Sequence, residues 1–173
     1  LACSFCDTEF ETFNQVLTQD IVYEVLKLSC NEADARTVNA VVITGGEPFR
    51  QPIKLLCEML IANGYIVQIE TNGTLYRPLP SEVVIVCSPK ASAGQYFPIR
   101  DDLLKNLAAF KFLISANMPP YNRVPEVGQM AHQVPIYVQP MDQYDDKLNE
   151  ANTQHTLNLS LQKGYIMSLQ MHK

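Results

Sequence analysis

The chain has 173 residues, 47% of them hydrophobic and 18% charged, a balance that fits one globular domain with a real core. Its net charge of −5 leaves no basic footprint for a polyphosphate backbone, so nucleic acid is set aside as a direct partner. No apolar run approaches the roughly 18 residues that a membrane span needs, and none is expected.

Taken in chain order, the sequence opens on "LACSFCDTEF", with Cys3 and Cys6 in a C-x-x-C. Ile21, Val22, Val25, Leu26 and Leu28 then recur at helical spacing, with Thr18 placed to cap the helix. "NAVVITGG" reads as a buried strand stopped by a glycine turn. "QPIKLLCEMLIANG" is a helix with Pro52 near its start and Gly64 just past its end. "YIVQIETNG" and "EVVIVCSPK" are the next strands. "RDDLLKNLAAF" reads as a helix with acids in its first turn, and "FKFLIS" as a strand. A proline-rich loop with a short helix follows, then the strand "PIYVQPM", a helix closed by Gly164, and the strand "YIMSLQM".

Six strands thus alternate with helices, and several are apolar throughout, as where both sheet faces are covered. The expected fold class is α/β with a parallel sheet, open or barrel-like, in one domain over residues 1–173. In such folds chemistry gathers where strands end. Thr44-Gly45-Gly46-Glu47-Pro48, Glu70 to Thr74, Ser88-Pro89-Lys90, Gln139-Pro140 and His172 all follow or end strands, so they are expected on one mouth.

Five cysteines, an odd number with three isolated in apolar surroundings, argue against a disulfide framework and for a reducing cytoplasm. Cys57 and Cys87 read as buried small hydrophobes. Cys3 and Cys6 leave three readings. Half a structural zinc site would need two more ligands, yet no second C-x-x-C exists and His132, His155 and His172 are scattered. A redox pair is disfavoured by the acids behind it, which raise a thiol pKa. An iron–sulfur cluster would need a third thiolate from outside this sequence. "ITGGEPF" adds a strand-end turn where backbone can approach a ligand closely, with Glu47 held extended ahead of Pro48.

Together "CSFCDT", "VVITGGEP", "IETNGT", "VCSPK", "QPM" and "SLQMHK" resemble the radical S-adenosylmethionine enzymes. Within them the ordered set, with "CDT" and "SPK", resembles the 7-carboxy-7-deazaguanine synthases. The resemblance implies a partial or abbreviated (β/α)6 TIM-like barrel, since a full eight-unit barrel typically takes about 250 residues. It also implies that Cys3 and Cys6 are the second and third cysteines of a C-x3-C-x2-C loop. The first cysteine and the first strand would then precede Leu1, and the C-terminus is expected to be trimmed as well.

By that resemblance the cofactors are a [4Fe–4S] cluster on Cys3 and Cys6, S-adenosylmethionine and Mg²⁺, the last held by Thr8. Phe5, Cys6, Asp7, Gly46, Ser88, Pro89, Lys90, Gln139, Pro140, Met141 and Asp142 are the implied contacts of S-adenosylmethionine, and Thr44 and His172 those of the substrate. The implied activity is conversion of 6-carboxy-5,6,7,8-tetrahydropterin to 7-carboxy-7-deazaguanine with loss of ammonia, by a homodimer served by an electron donor such as flavodoxin. An activating enzyme for a glycyl-radical partner and a small zinc or redox module remain as rivals.

Overall fold

Valine, isoleucine and phenylalanine at alternate positions favour strands that bury a face, and six such segments pair here. The computed structural model describes residues 14–169. Its main sheet contains β1 (Ala40–Ile43), β2 (Ile66–Thr71), β3 (Val84–Cys87), β6 (Ala109–Ile114), β7 (Ile136–Pro140) and β8 (Ile166–Met167), in that order and all parallel. A small antiparallel hairpin of β4 (Ala91–Ser92) and β5 (Gln95–Tyr96) interrupts the series. The helices are α1 (Thr18–Leu28), α2 (Lys54–Ala62), α3 (Asp101–Leu104), α4 (Gln129–His132) and α5 (Asp146–Lys163).

The spatial order of the main strands never reverses. Winding therefore goes one way, as in a barrel sheet, with none of the switch points of a doubly wound sheet. Register separates the two faces. Val67 and Ile69 align with the β3 row of Ile85 and Cys87, and Cys87 with Phe110. These residues, with Phe112, Ile114 and Val138, form the core with Val22, Cys57, Leu60 and Leu103 from the helices. The opposite face carries Gln68, Glu70, Lys111, Tyr137 and Gln139. A polar row on the face away from the helices is what a barrel needs in order to hold a polar ligand inside.

Several elements differ from the sequence reading. Thr18 is the first residue of α1 rather than its cap; extended Leu17 precedes it and no side chain caps the helix. The helix expected over 100–110 is only α3, because Ala109 and Phe110 join β6, where Phe110, Phe112 and Ile114 pack at period two. The hairpin was not expected; Ala93 (φ 50°) and Gly94 (φ 78°) supply the two left-handed residues that a tight hairpin turn takes. Gly64 (φ 80°) and Gly164 (φ 70°) end α2 and α5 as anticipated.

Phe112 is completely buried between the sheet and its cover. Phe112→Ala should lower the unfolding free energy in urea by about 3–5 kcal/mol. Leu161→Ala, at a side chain 76% exposed on α5, should change it by less than about 0.5 kcal/mol. Similar losses at both positions would contradict the assigned core.

Candidate functional site

All six main strands are parallel, so their C-terminal ends lie on one rim, and the loops there carry the polar signatures of the sequence. The first junction is made by Glu47. Its backbone is extended (φ −150°, ψ 108°), as expected ahead of Pro48, which starts a short 3₁₀ turn over Pro48–Arg50. The carboxylate is buried and fully used. Oε1 accepts from the Thr71 hydroxyl at 2.7 Å and from the Phe49 amide at 3.2 Å. Oε2 accepts from the Asn72 amide at 2.8 Å. The loop after β1 is thereby fastened to the end of β2.

The next junction runs from β2 to β3. The Ser88 amide donates to the Thr71 carbonyl at 2.7 Å. Lys90 folds back, its Nζ 2.9 Å from the Ser88 carbonyl and 2.6 Å from the Ser88 hydroxyl. Gly73 (φ 84°) sits against this junction: a Cβ there would lie 2.7 Å from Cys87 Sγ and 2.5 Å from Ile99 Cδ1. The turn thus requires glycine on grounds of both conformation and space. Burial pushes the Cys87 thiol up to about 12, so it stays protonated and packs as an apolar group. Cys57 is likewise buried and its pKa raised by desolvation, in keeping with the sequence reading of both.

The far side of the rim is built from β6, β7 and α5. The Met141 amide donates to the Ile114 carbonyl at 2.8 Å, which sets the Gln139–Asp142 segment against β6. Asn152 of α5 is completely buried. Its Nδ2 donates to the Met141 carbonyl at 2.8 Å and to Gln143 Oε1 at 2.9 Å, and its Oδ1 accepts from the Ala116 amide at 2.8 Å. Ser115, also fully buried, donates to Gln143 Oε1 at 3.0 Å. Gln139 is only 6% exposed and stands on the interior face of β7. An amide side chain on the interior face of the sheet suits a polar small molecule.

Below the rim, Lys111 Nζ lies 2.6 Å from both carboxylate oxygens of Glu70, with side chains 19% and 25% exposed. This pair keeps the interior face neutral at that level.

Among the residues named in advance, the structure places Gly46, beside Glu47, and Ser88-Pro89-Lys90 along one connected stretch of rim, with Thr44 at its start. Gln139, Pro140, Met141 and Asp142 form a second stretch on the same rim. Cys3, Phe5, Cys6, Asp7, Thr8 and His172 lie outside the described residues. Among the described residues no group of three His, Cys, Asp or Glu side chains could hold a metal ion. The clamp made by Glu47, the Glu70–Lys111 pair and the Ser115–Gln143–Asn152 network went unassigned in the sequence. Glu70 and Glu47 did stand inside quoted motifs; Asn152 carried no signal, being one polar residue in a mostly polar helix.

No family model matches the chain. It is 54% identical over 173 residues to the 7-carboxy-7-deazaguanine synthase of Rickettsia prowazekii, covering all of this chain and 74% of that protein. It is 33% identical over 197 residues to the synthase of Rhodospirillum rubrum, covering all of this chain and 78% of that one. In fold it is similar to the crystal structure of QueE from Escherichia coli, with a TM-score of 0.64 and 20% identity over 91% of this chain and 64% of that chain. The chain therefore spans about three quarters of these curated relatives and under two thirds of the solved one.

The ion pair yields a direct test. Lys111→Met should lower the unfolding free energy by about 1–3 kcal/mol, because Glu70 is left charged and half-buried, and the double variant Glu70→Gln/Lys111→Met should recover most of the loss. A double variant as unstable as the single one would contradict the pairing.

Proposed function

This chain belongs to the 7-carboxy-7-deazaguanine synthase family, and we propose that it performs that family's reaction with the rim described above as its cofactor site. The reaction turns 6-carboxy-5,6,7,8-tetrahydropterin into 7-carboxy-7-deazaguanine, contracting a ring with loss of ammonia. The observation that carries this reading is the convergence of the motifs: "TGGEP", "ETNG", "SPK" and "QPMD", scattered over some hundred residues, lie along one rim.

The groups present suit a polar, charged cofactor such as S-adenosylmethionine: backbone at the Gly45–Gly46 turn, the lysine Lys90 and the amide side chain of Gln139. When bound, the cluster and S-adenosylmethionine would supply hydrogen-abstracting radical chemistry. The chain's own part is to hold and to shield. Glu47 fixes the Gly45–Gly46 turn, so its backbone groups need not reorganise around a ligand. The Ser88 amide ties the "SPK" loop to the end of β2 through the Thr71 carbonyl, and Lys90 folds back onto Ser88 within the loop. Pro89 and Pro140 limit the freedom of the loops beside them. The Gln139–Asp142 segment closes the opposite side, with Met141 buried beneath it.

Cys3 and Cys6 would ligate the cluster with a third cysteine, Phe5 and Asp7 would lie beside S-adenosylmethionine, Thr8 would ligate Mg²⁺, and Thr44 and His172 would meet the pterin. Among the described residues no helix is long and apolar enough to cross a membrane. The free cysteines Cys30, Cys57 and Cys87 support a reducing, cytoplasmic setting, and a homodimer and a flavodoxin-like electron donor complete the proposal.

The full-length protein, reconstituted anaerobically, should bind about four irons and four sulfides and convert the pterin acid to a product of the deazaguanine's mass. Thr8→Ala should alter the Mg²⁺ dependence of turnover more than cofactor cleavage. Stoichiometric zinc without iron would contradict the proposal. Cofactor cleavage without pterin conversion would instead favour the activating-enzyme reading.

A further inference from the structure

We infer that Asn152, backed by Asn149, is a positioning residue for S-adenosylmethionine binding, an inference that rests on the cofactor reading of the rim given above. A helix covering a parallel sheet normally buries apolar side chains. In α5 the fully buried residues are instead Asn152 and Thr156. Asn149 and Asn152 are three residues apart and so share a face of the helix.

Their bonds go to loops rather than to another helix. Asn152 holds the Met141 carbonyl and the Gln143 side chain with its two N–H groups, and the Ala116 amide with its oxygen. Asn149 accepts from the Gln143 amide at 2.8 Å and donates to Asp142 Oδ1 at 2.8 Å. Two side chains from one helix thus fix the loops after both β6 and β7. Asp145 caps the same helix, accepting from the Lys147 and Leu148 amides at 3.0 Å, so the platform that carries Asn149 and Asn152 is itself held at its start.

The loop they hold contains Met141 and Asp142 and directly follows Gln139, which stands on the interior face of the sheet. A ligand that takes up Gln139 therefore binds a surface whose shape is set from α5. Without the asparagines, the loop would have to be ordered at the moment of binding, which weakens affinity while leaving the bound complex and its reactivity much as before. The expected signature is a raised KM for S-adenosylmethionine with kcat little changed.

The experiment uses the full-length reconstituted holoenzyme. Variants Asn152→Ala and Asn149→Ala are compared with Thr156→Ala, which removes from the same helix a buried hydroxyl that donates to the Asn152 backbone carbonyl. Both asparagine variants should raise the KM for S-adenosylmethionine by about tenfold at nearly constant kcat, the effect expected of buried groups stripped of partners. They should also speed hydrogen exchange at Met141 to Gln143. Thr156→Ala should lower the melting temperature while leaving KM within about twofold. Asn149 is only half-buried, so its variant provides the reading if Asn152→Ala fails to fold. A KM that does not move although exchange in the loop speeds up would overturn the inference, as would Thr156→Ala raising KM as much as the asparagine variants. If the wild-type holoenzyme cleaves no S-adenosylmethionine, the cofactor reading falls and this inference with it. If the wild type cleaves it normally and only the variant pattern fails, the inference alone falls.

Discussion

The carboxylate of Glu47 is the interaction on which the candidate site depends. It is buried, and it has three donors within hydrogen-bond distance, two of them from the end of the neighbouring strand. A buried carboxylate without partners would be costly, so this one enforces its surroundings: the turn after β1 stays only where Thr71 and Asn72 stay. Thr71 in turn passes its carbonyl to Ser88 on the next loop. One side chain thus sets the relative positions of three strand-end segments. Such fixity would put the groups around a bound cofactor in place before any reaction begins.

The far side of the rim solves the same problem by other means. There the fastening comes from α5, through neutral side chains, and the loops after β6 and β7 are the ones held. Between the two sides runs the interior face with its Glu70–Lys111 pair. The sheet therefore separates its tasks by face: phenylalanines, isoleucines and cysteines pack toward the helices, and glutamine, glutamate, lysine and tyrosine face the interior. The one-way winding of the strands makes this separation possible, since it keeps the covering helices together on one side.

Much of this was legible in the residues. The β-branched runs marked the six main strands, and the glycine and proline punctuation after them marked the rim. Glu47 could be seen to be extended, because Pro48 follows it. Its partners Thr71 and Asn72 could not be seen, since they sit some two dozen residues away and meet it only when β1 and β2 pair. The hairpin at Ala91–Tyr96 escaped because two-residue strands carry no period, and only Gly94 marks its turn. Asn152 escaped for a related reason. Helix periodicity is sought in apolar residues, and α5 uses polar ones to reach the sheet. In the 101–114 region two patterns competed, and the phenylalanines at period two prevailed over the helical signal ahead of them. The cysteine loop with Cys3 and Cys6, and His172 at the other end, lie outside the described residues, so their part in the site rests on family membership.

The central claim is that the Glu47 carboxylate couples the end of β1 to the end of β2. A double-mutant cycle with Glu47→Ala and Thr71→Val, followed by urea unfolding of all four proteins, measures that coupling directly. A bond from a hydroxyl to a buried carboxylate predicts a coupling energy of about 1.5–3 kcal/mol. Losses that add to within about 0.3–0.5 kcal/mol, the behaviour of independent sites, would contradict it.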